Sequence, residues 1–545
     1  MLRSLAAPLI WCALLCAPLR AQPRPLPAYV NAQLPWHHAV VDAQGKLLAW
    51  FEPGKNLGYD KVLRLGWDFI EHKVPRDTRH HTGLKIYLIN SVFEASTLQG
   101  RNWQHNPAMV YATFVDSLLA WYPYSGDEEA IRAVREMLDY QLAHGTTPAG
   151  WAWPRVPFAT SCDDSPDYGR CIQNMPHEFY GGIETDKVGA LGNAYVLFYE
   201  LTGDRKYLEA GLDCAGALAR HVRPGDDDRT PWPFRLDART GATLASEEYG
   251  GEVVDPVRLF DELIRLRQGD AALFQKARDT AWQWLLDHPL NRRSRAWDKW
   301  SGYFEDVARN TDNVNQALPT VTAYYILSRE DPAAVDPQWS NHAGHLIDWV
   351  RQRLGRGPYL GAWAIDEQGT PDGRGCCARS GLGSDTSRWA AINAMYSEKT
   401  GDGQAREDAF RSLNYATYFA ASDGKISCCG LGFGGEYWFS DGYSDYLRHF
   451  NWAMAALPNL APVGQSHLLR SSSVVQKVTY SSRRISYKTF DPSATEVLRL
   501  NFKPAQITAG GAPLTAGYTL DPLPGGDWLL RLRHATSGEI FIRAE

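Results

Sequence analysis

The chain has 545 residues and a formal charge of −6 at neutral pH, which gives no electrostatic basis for holding nucleic acid or an anionic membrane surface. Apolar residues make up 44% of it, enough for a large folded core, and 20 Trp with 26 Tyr are many for that length. Such aromatic richness is packing material first and a source of sugar-stacking surfaces second.

The opening segment, MLRSLAAPLIWCALLCAPLRAQ, places a basic residue at Arg3, an apolar stretch from Leu5 to Leu15 and a small residue at Ala21. This is the layout of a secretory signal peptide over residues 1–21, and it predicts a secreted or periplasmic protein. The apolar stretch is too short for a membrane span, and no later segment approaches the roughly 18 uninterrupted apolar residues that a span needs. Of the nine cysteines, seven follow this segment: Cys162, Cys171, Cys214, Cys376, Cys377, Cys428 and Cys429. In an oxidising compartment disulfides are the expectation. Cys162 and Cys171 flank a loop that they are placed to staple, and the vicinal pairs in GCCAR and SCCGL are placed to bridge one another, with the connectivity open. Cys214 falls in a helical pattern and is expected as a buried free thiol.

A short turn recurs: YSGDEEA at 124, LTGDRKY at 201, RQGDAAL at 267, SREDPAA at 328 and KTGDGQA at 399. Its aspartates, Asp127, Asp204, Asp270, Asp331 and Asp402, stand 77, 66, 61 and 71 residues apart, which predicts a repeated supersecondary unit. After each turn comes an amphipathic helix, with Ile131, Val134, Leu138 and Leu142 as one apolar face and Leu208, Leu212, Ala215 and Leu218 as another. Before each turn comes a helix with little polar face, such as VYATFVDSLLAW or VGALGNAYVLFYEL, which must be covered on all sides. Adding LGYDKVLRLGWDFIEH near the start and SDYLRHFNWAMAAL near the end predicts about twelve helices, six inner ones enclosed by six outer ones. The links between units run to roughly 25–45 residues, far beyond ordinary connections, and all enter inner helices at one end. Long loops gathered on one end of a rigid scaffold are where binding and catalysis are normally placed.

In hairpin number, turn motif and loop asymmetry, residues 55–460 resemble an (α/α)6 toroid of the six-hairpin glycosidase kind. The resemblance implies a carbohydrate-active enzyme; toroids of this sort also host polysaccharide lyases, sugar epimerases and terpene cyclases. The toroidal domain is expected over residues 22–464. Over 465–545 the texture changes, and SVVQKVTYSSRRISYKTFD, TEVLRLNFKP and DWLLRLRHA alternate apolar and polar residues between Gly, Pro and Asp. They predict a small antiparallel β-sandwich, which resembles the accessory domain of many carbohydrate-active enzymes and whose few aromatics assign it a bracing role.

With every long link on one face, the acids nearest the inner helices meet there: Glu184 and Asp186, Glu252 and Asp255, Asp312, Asp385, and Glu436, Asp441 and Asp445. Breaking a glycosidic bond takes a proton donor and a second carboxylate roughly 5–10 Å apart. The catalytic pair is therefore expected among Glu184, Glu252, Asp312, Asp385 and Glu436, three of which follow a Gly-Gly pair that lets backbone approach a ligand. The competing role is capping. Asp255-Pro256 and Asn106-Pro107 read as N-caps followed by Pro, and Thr185 and Ser384 as caps that leave Asp186 and Asp385 to the helix dipole.

The loop NMPHEFYGGIE adds Asn174, His177 and Tyr180, types that a uronate lyase uses to neutralise the carboxylate and move the α-proton. His177, Tyr180, Asp186, Trp151, Trp153 and Trp438 form the expected substrate-binding set, and Trp232, Trp297, Trp300 and Trp363 are further aromatics on the links. In residue type the vicinal cysteines resemble the zinc ligands of β-L-arabinofuranosidases, which combine a Glu, a lone Cys and a Cys-Cys pair. Two residues before the lone Cys, however, this chain has Arg374 or Gly375 in place of Glu, so neither a metal nor another cofactor is expected. The expected function is hydrolysis of an oligo- or polysaccharide, with a uronate lyase and a non-catalytic glycan binder as alternatives. No nucleic-acid partner and no membrane contact after signal removal are expected, and the oligomeric state is open.

Overall fold

The computed structural model describes residues 34–94, 96–100, 106–160, 166, 168, 181–245, 253–300, 313–369, 381–427, 436–438 and 443–544. The signal-like segment, the cysteines other than Cys214, and His177, Tyr180, Glu252, Asp312 and Asp441 lie outside the described residues. Glu436 and Trp438 are described in backbone only, as the ends of a short strand paired with Val92–Glu94.

Twelve α-helices stand among the described residues: α1 (Leu57–Asp68), α2 (Pro107–Ser125), α3 (Glu128–His144), α4 (Thr185–Thr202), α5 (Arg205–His221), α6 (Val254–Leu266), α7 (Ala271–Asp287), α8 (Ala317–Leu327), α9 (Trp339–Leu354), α10 (Gly383–Thr400), α11 (Gly403–Thr417) and α12 (Asp445–Ala456). The even-numbered helices form a closed inner ring in which α2 packs on α4, α4 on α6, α6 on α8, α8 on α10, α10 on α12, and α12 on α2. The odd-numbered helices lie outside it. Burial follows the pattern read from the sequence: α4 is buried along nearly its whole length, whereas α5 buries one face through Tyr207, Leu208, Cys214, Ala215 and Leu218. Cys214 is a buried free thiol, as expected.

The recurring turn explains the hairpins. Gly126, Gly203 and Gly401 end inner helices with φ of 77°, 74° and 76°, a left-handed conformation that strains any side chain. The next aspartate then caps the outer helix. Asp127, Asp204, Asp270 and Asp402 accept from the N–H groups of Glu129, Lys206, Leu273 and Ala405 at 3.0, 3.3, 3.0 and 2.9 Å. Asp331 departs from the pattern: it caps the single turn Pro332–Ala334, and α9 begins only at Trp339. These turns lie at the C-terminal ends of the inner helices, and the long connectors all lie at their N-terminal ends.

The circle is closed by a seam between distant parts of the chain. Helix α1 packs on α11 and α12, so the first helix completes the last hairpin. The His37 ring bonds to the Ala420 carbonyl at 2.8 Å, Trp50 donates to Thr417 at 2.9 Å, Tyr59 donates to Asn414 at 2.7 Å, and Asn56 donates to Asn459 at 2.7 Å.

Nine strands follow: β1 (His467–Ser471), β2 (Val475–Ser481), β3 (Arg484–Thr489), β4 (Ser493–Leu500), β5 (Gln506–Ala509), β6 (Ala512–Pro513), β7 (Tyr518–Pro522), β8 (Trp528–Ala535) and β9 (Ile540–Arg543). They form two antiparallel sheets, in the orders β1-β4-β8-β7 and β2-β3-β9-β5-β6. Alternate residues such as Leu498, Leu530, Ile485, Tyr487 and Ile542 fill the space between them.

This sandwich sits on the short-turn rim, where helix C-termini leave carbonyls without helical partners. The His467 ring bonds to the Tyr124 carbonyl at 2.8 Å and stacks on the Tyr124 ring, while Tyr480 donates to Pro123 at the end of α2. Gln476 donates to the Glu200 carbonyl of α4 at 2.8 Å, and Asp491 pairs with Arg265 of α6 at 2.6 Å. Arg533 pairs with Glu330 beyond α8, Arg470 pairs with Glu398 of α10, and Arg499 donates to Pro458 and Ala461 beyond α12. The sandwich thus reaches the ends of all six inner helices on the short-turn rim, at the opposite end from the long connectors.

Candidate active site

At the long-connector rim the N-terminal ends of four inner helices carry an acid followed three residues later by a base: Glu184 and Lys187, Asp255 and Arg258, Asp385 and Arg388, Asp445 and Arg448. The acid suits the positive end of the helix dipole and the base opposes it, so the bases need carboxylate partners to be buried there. The spacing places each pair on one helix face, a signal that is present in the sequence beside the capping pattern. Unlike α3, α5, α7 and α11, whose N-cap aspartates bond to the first turn, α4, α6, α8, α10 and α12 have no N-cap side chain bonded to theirs.

The pairs join into one network. Arg258 donates to both oxygens of Asp116 on α2 at 3.1 and 3.3 Å and to Asp255 at the longer distance of 3.4 Å. Asp116 also accepts from Arg448 at 2.9 Å; Arg448 pairs in turn with Asp445, and Asp445 with Arg388. Arg388 lies 3.7 Å from Asp385, which accepts from Gln316 at 2.6 Å. Helices α2 and α6 are not ring neighbours, so Arg258 and Asp116 meet across the bore. Tyr324 of α8 and Trp452 of α12 do the same, stacking with ring centroids 4.1 Å apart, and Arg258 and Arg448 lie over their faces. Together these side chains make a floor below the first turns.

Above the floor lie Asp186 and Asp255, the second residues of α4 and α6. Their helices touch: a Cβ on Gly189 would sit 2.4 Å from the Pro256 nitrogen. Asp186 is 3% exposed, and neither of its carboxylate oxygens has a hydrogen-bond partner among the described residues; the Lys187 ammonium stands 3.5 Å from one of them. Asp255 is 6% exposed. Burial pushes its carboxyl up to about 6 against the pull of Arg258, and the charges of Asp186 and Asp116 add to the rise. Charge balance agrees: among these described side chains, Glu184, Asp186, Asp255, Asp116, Asp385 and Asp445 outnumber Lys187, Arg235, Arg258, Arg388 and Arg448 by one.

The other expected residues fall into place around this pair. Glu184 is fully buried between Lys187 and Arg235, its cross-strand partner on Arg235–Asp237. It anchors the entry to α4, and its ion pairs leave it no free oxygen for a substrate. Asp385 is held by Gln316 and Arg388 in the same network. Asn106 does cap α2, accepting from Met109 at 3.5 Å with Pro107 behind it. Asp255, Thr185 and Ser384 are not N-caps. Helix α6 starts one residue ahead of Asp255, Thr185 donates to the Pro233 carbonyl at 2.9 Å, and Ser384 lies inside α10.

The aromatic expectation needs correction. Trp153 is 2% exposed and stacks on His221, so it has no face left for a sugar; Trp232 and Trp300 are likewise core residues. In their described stretches the links carry core of their own. Trp151 is half-buried beside Gly181 and Phe158. Trp297 stacks on His345. Trp363 lies under Arg351.

His449 of α12 has a serine and an aspartate for neighbours but is not part of a nucleophilic triad. Ser387 gives its own proton to the Ser384 carbonyl at 2.7 Å, so the imidazole Nδ1–H donates to the Ser387 hydroxyl at 2.9 Å. Nε2 then accepts from Arg448 at 3.3 Å. Burial, and then the charges of Arg448 and Arg388, hold the imidazole well below its ordinary range. Neutral and bonded on both sides, it steadies Arg448. Among the described residues no group of three or more His, Cys, Asp or Glu is placed to hold a metal ion.

No protein-family model matches the sequence, and no curated protein sequence matches it significantly. Solved structures do. The cellobiose 2-epimerase from Bacillus thermoamylovorans has a TM-score of 0.51 at 9% identity, covering 73% of this chain and 98% of that one. A sugar epimerase from a ruminal bacterium has a TM-score of 0.49 at 8% identity, covering 72% and 98%. An α-1,2-mannosidase from Trichoderma reesei has 0.44 at 11%, covering 74% and 93%. The fold is therefore the six-hairpin toroid, with a sandwich beyond it, and its structural neighbours are sugar-processing enzymes.

Proposed function

We propose that the protein is a glycoside hydrolase that takes an oligo- or polysaccharide at the long-connector rim, with Asp255 as proton donor and Asp186 as the second carboxylate. The observation that carries this reading is the pair itself. Two buried carboxyl groups stand in the first turns of touching helices, one pushed up to about 6 and the other with both oxygens unbonded among the described residues. A buried carboxyl whose hold on its proton is strengthened, beside a second carboxyl, suits general-acid catalysis. In the proposed reaction the Asp255 proton passes to the glycosidic oxygen as its bond to the anomeric carbon breaks. Asp186, as the base, assists the attack on that carbon by water, taking the proton that water gives up as it becomes the new hydroxyl. The Arg258–Asp116–Arg448 floor positions the pair and closes the space beneath the sugar.

The neighbours' own activities include epimerisation, and the test separates the two. Purified protein is incubated with a panel of oligosaccharides and products are resolved by chromatography. Hydrolysis yields shorter sugars with new reducing ends, and an epimer of unchanged length or a product with a new ultraviolet-absorbing double bond refutes the hydrolase reading. Asp255→Asn and Asp186→Asn variants that keep full turnover refute the residue assignment.

A further inference from the structure

We propose that Asp116 is a positioning residue for the Asp186–Asp255 pair: by engaging Arg258 through both oxygens it holds the guanidinium off Asp255, so that Asp255 is the acid that keeps its proton. The inference rests on the reading of that pair as the reacting groups, and it concerns what sets their protonation. Asp116 lies in the third turn of α2, outside the first turns that carry every other acid of the network.

The geometry is a competition for one cation. Arg258 gives one amino group to both Asp116 oxygens at 3.1 and 3.3 Å, and offers Asp255 only the other, at 3.4 Å. Asp116 is itself shared, because Arg448 donates to it at 2.9 Å. Among the described residues, the charged groups facing Asp255 are Arg258 on its own helix, Asp186 from α4, Asp116 from α2 and Arg448 from α12, while the Tyr324 ring of α8 packs under Arg258. Removing the Asp116 charge acts twice in one direction. It deletes a repelling charge and releases Arg258 to pair with Asp255, so the Asp255 proton is lost more easily. Removing Arg448 acts in the opposite sense. An attracting charge is deleted, and Asp116 is left to hold Arg258 alone.

The opposed signs separate this role from a merely structural one. The full chain, isotope-labelled at the aspartate carboxyl carbons, is titrated by NMR, with Asp255→Asn identifying the Asp255 signal. No substrate is needed. In Asp116→Asn the Asp255 midpoint is expected to fall by about one pH unit or more, and in Arg448→Gln to rise. A midpoint that stays put or rises in Asp116→Asn overturns the proposal. Should that variant fail to fold, a midpoint that falls or stays put in Arg448→Gln overturns it instead. Opposed shifts in a protein that cleaves no glycan uphold the role of Asp116 and sink the hydrolase reading; glycan cleavage with an unmoved midpoint does the reverse.

Discussion

His467 offers a measurable test of whether the sandwich is bound into the fold of the toroid. Its ring lies between β1 and the end of α2, stacked on Tyr124 with centroids 3.8 Å apart. Burial lowers its pKa from 6.5 to about 4, against the opposing bond to the Tyr124 carbonyl and the charge of Asp60. The folded state therefore keeps a neutral imidazole where the unfolded chain takes up a proton. The stability that follows is complete above about pH 6.5 and is lost as pH falls toward about 4. Between pH 7.5 and 4.5 the linkage amounts to about 2.5 kcal/mol, at about 1.36 kcal/mol for each pH unit over which only the unfolded chain is protonated. The perturbation is His467→Phe, which keeps a stacking ring and removes the titration. Urea unfolding at both pH values gives four free energies. The variant loses the bond to Tyr124 at either pH, so only the difference between the two pH dependences reports the imidazole. Wild type should lose about 2.5 kcal/mol more than the variant on acidification. Equal losses in the two proteins refute the reasoning and leave the junction without a role in acid stability.

Three further outcomes are expected. Asp255→Asn should lower kcat by about a hundred- to ten-thousand-fold on a responsive glycan, and wild-type kcat/KM should decline as pH rises through about 6, since a general acid must hold its proton; a flat profile across that range counts against Asp255. Gly189→Ala drives a methyl group into the Pro256 backbone and should cost about 1–3 kcal/mol in thermal unfolding, with a loss of turnover larger than the loss of folded protein. Glu200, fully buried against Glu262 at the sandwich junction, has its pKa raised by burial and by that neighbour, so its contribution is present at low pH and lost as pH rises. Glu200→Gln, which mimics the protonated form, should flatten the decline of the melting temperature as pH rises from about 4.5 to about 9.

The toroid is legible in the sequence because its punctuation is local. A glycine that must turn left-handed and an aspartate that must cap are both readable from four letters, and the apolar helix before each turn with the one-faced helix after it sorts inner from outer. The site is less legible for two physical reasons. Asp255-Pro256 has the form of a cap followed by proline, yet the helix begins at Val254, which brings the carboxyl inside the first turn and frees it; a one-residue shift in helix start is below what sequence resolves. Arg258, Arg388 and Arg448 escape a sequence reading because an arginine near a helix N-terminus looks like a solvated charge, and only pairing between inner helices shows otherwise. The aromatics of Trp153 and Trp300 mislead in the other direction. Links of that length read as surface, whereas they fold onto the outer helices and bury their rings.

The seam that joins α1 to α11 and α12 bears on how the molecule is made. Among the described residues, 37–59 find their distant hydrogen-bonding partners between positions 360 and 463, so the amino-terminal stretch leaves the ribosome long before anything exists for it to dock upon. Until then the growing arc of hairpins exposes a raw edge on α2, and Tyr59 and Phe69, whose buried rings pack on Phe450 and Tyr443, wait for the circle to shut. A nascent chain stalled before Asp445 is an open arc, with greasy flanks that invite a chaperone or a neighbouring chain.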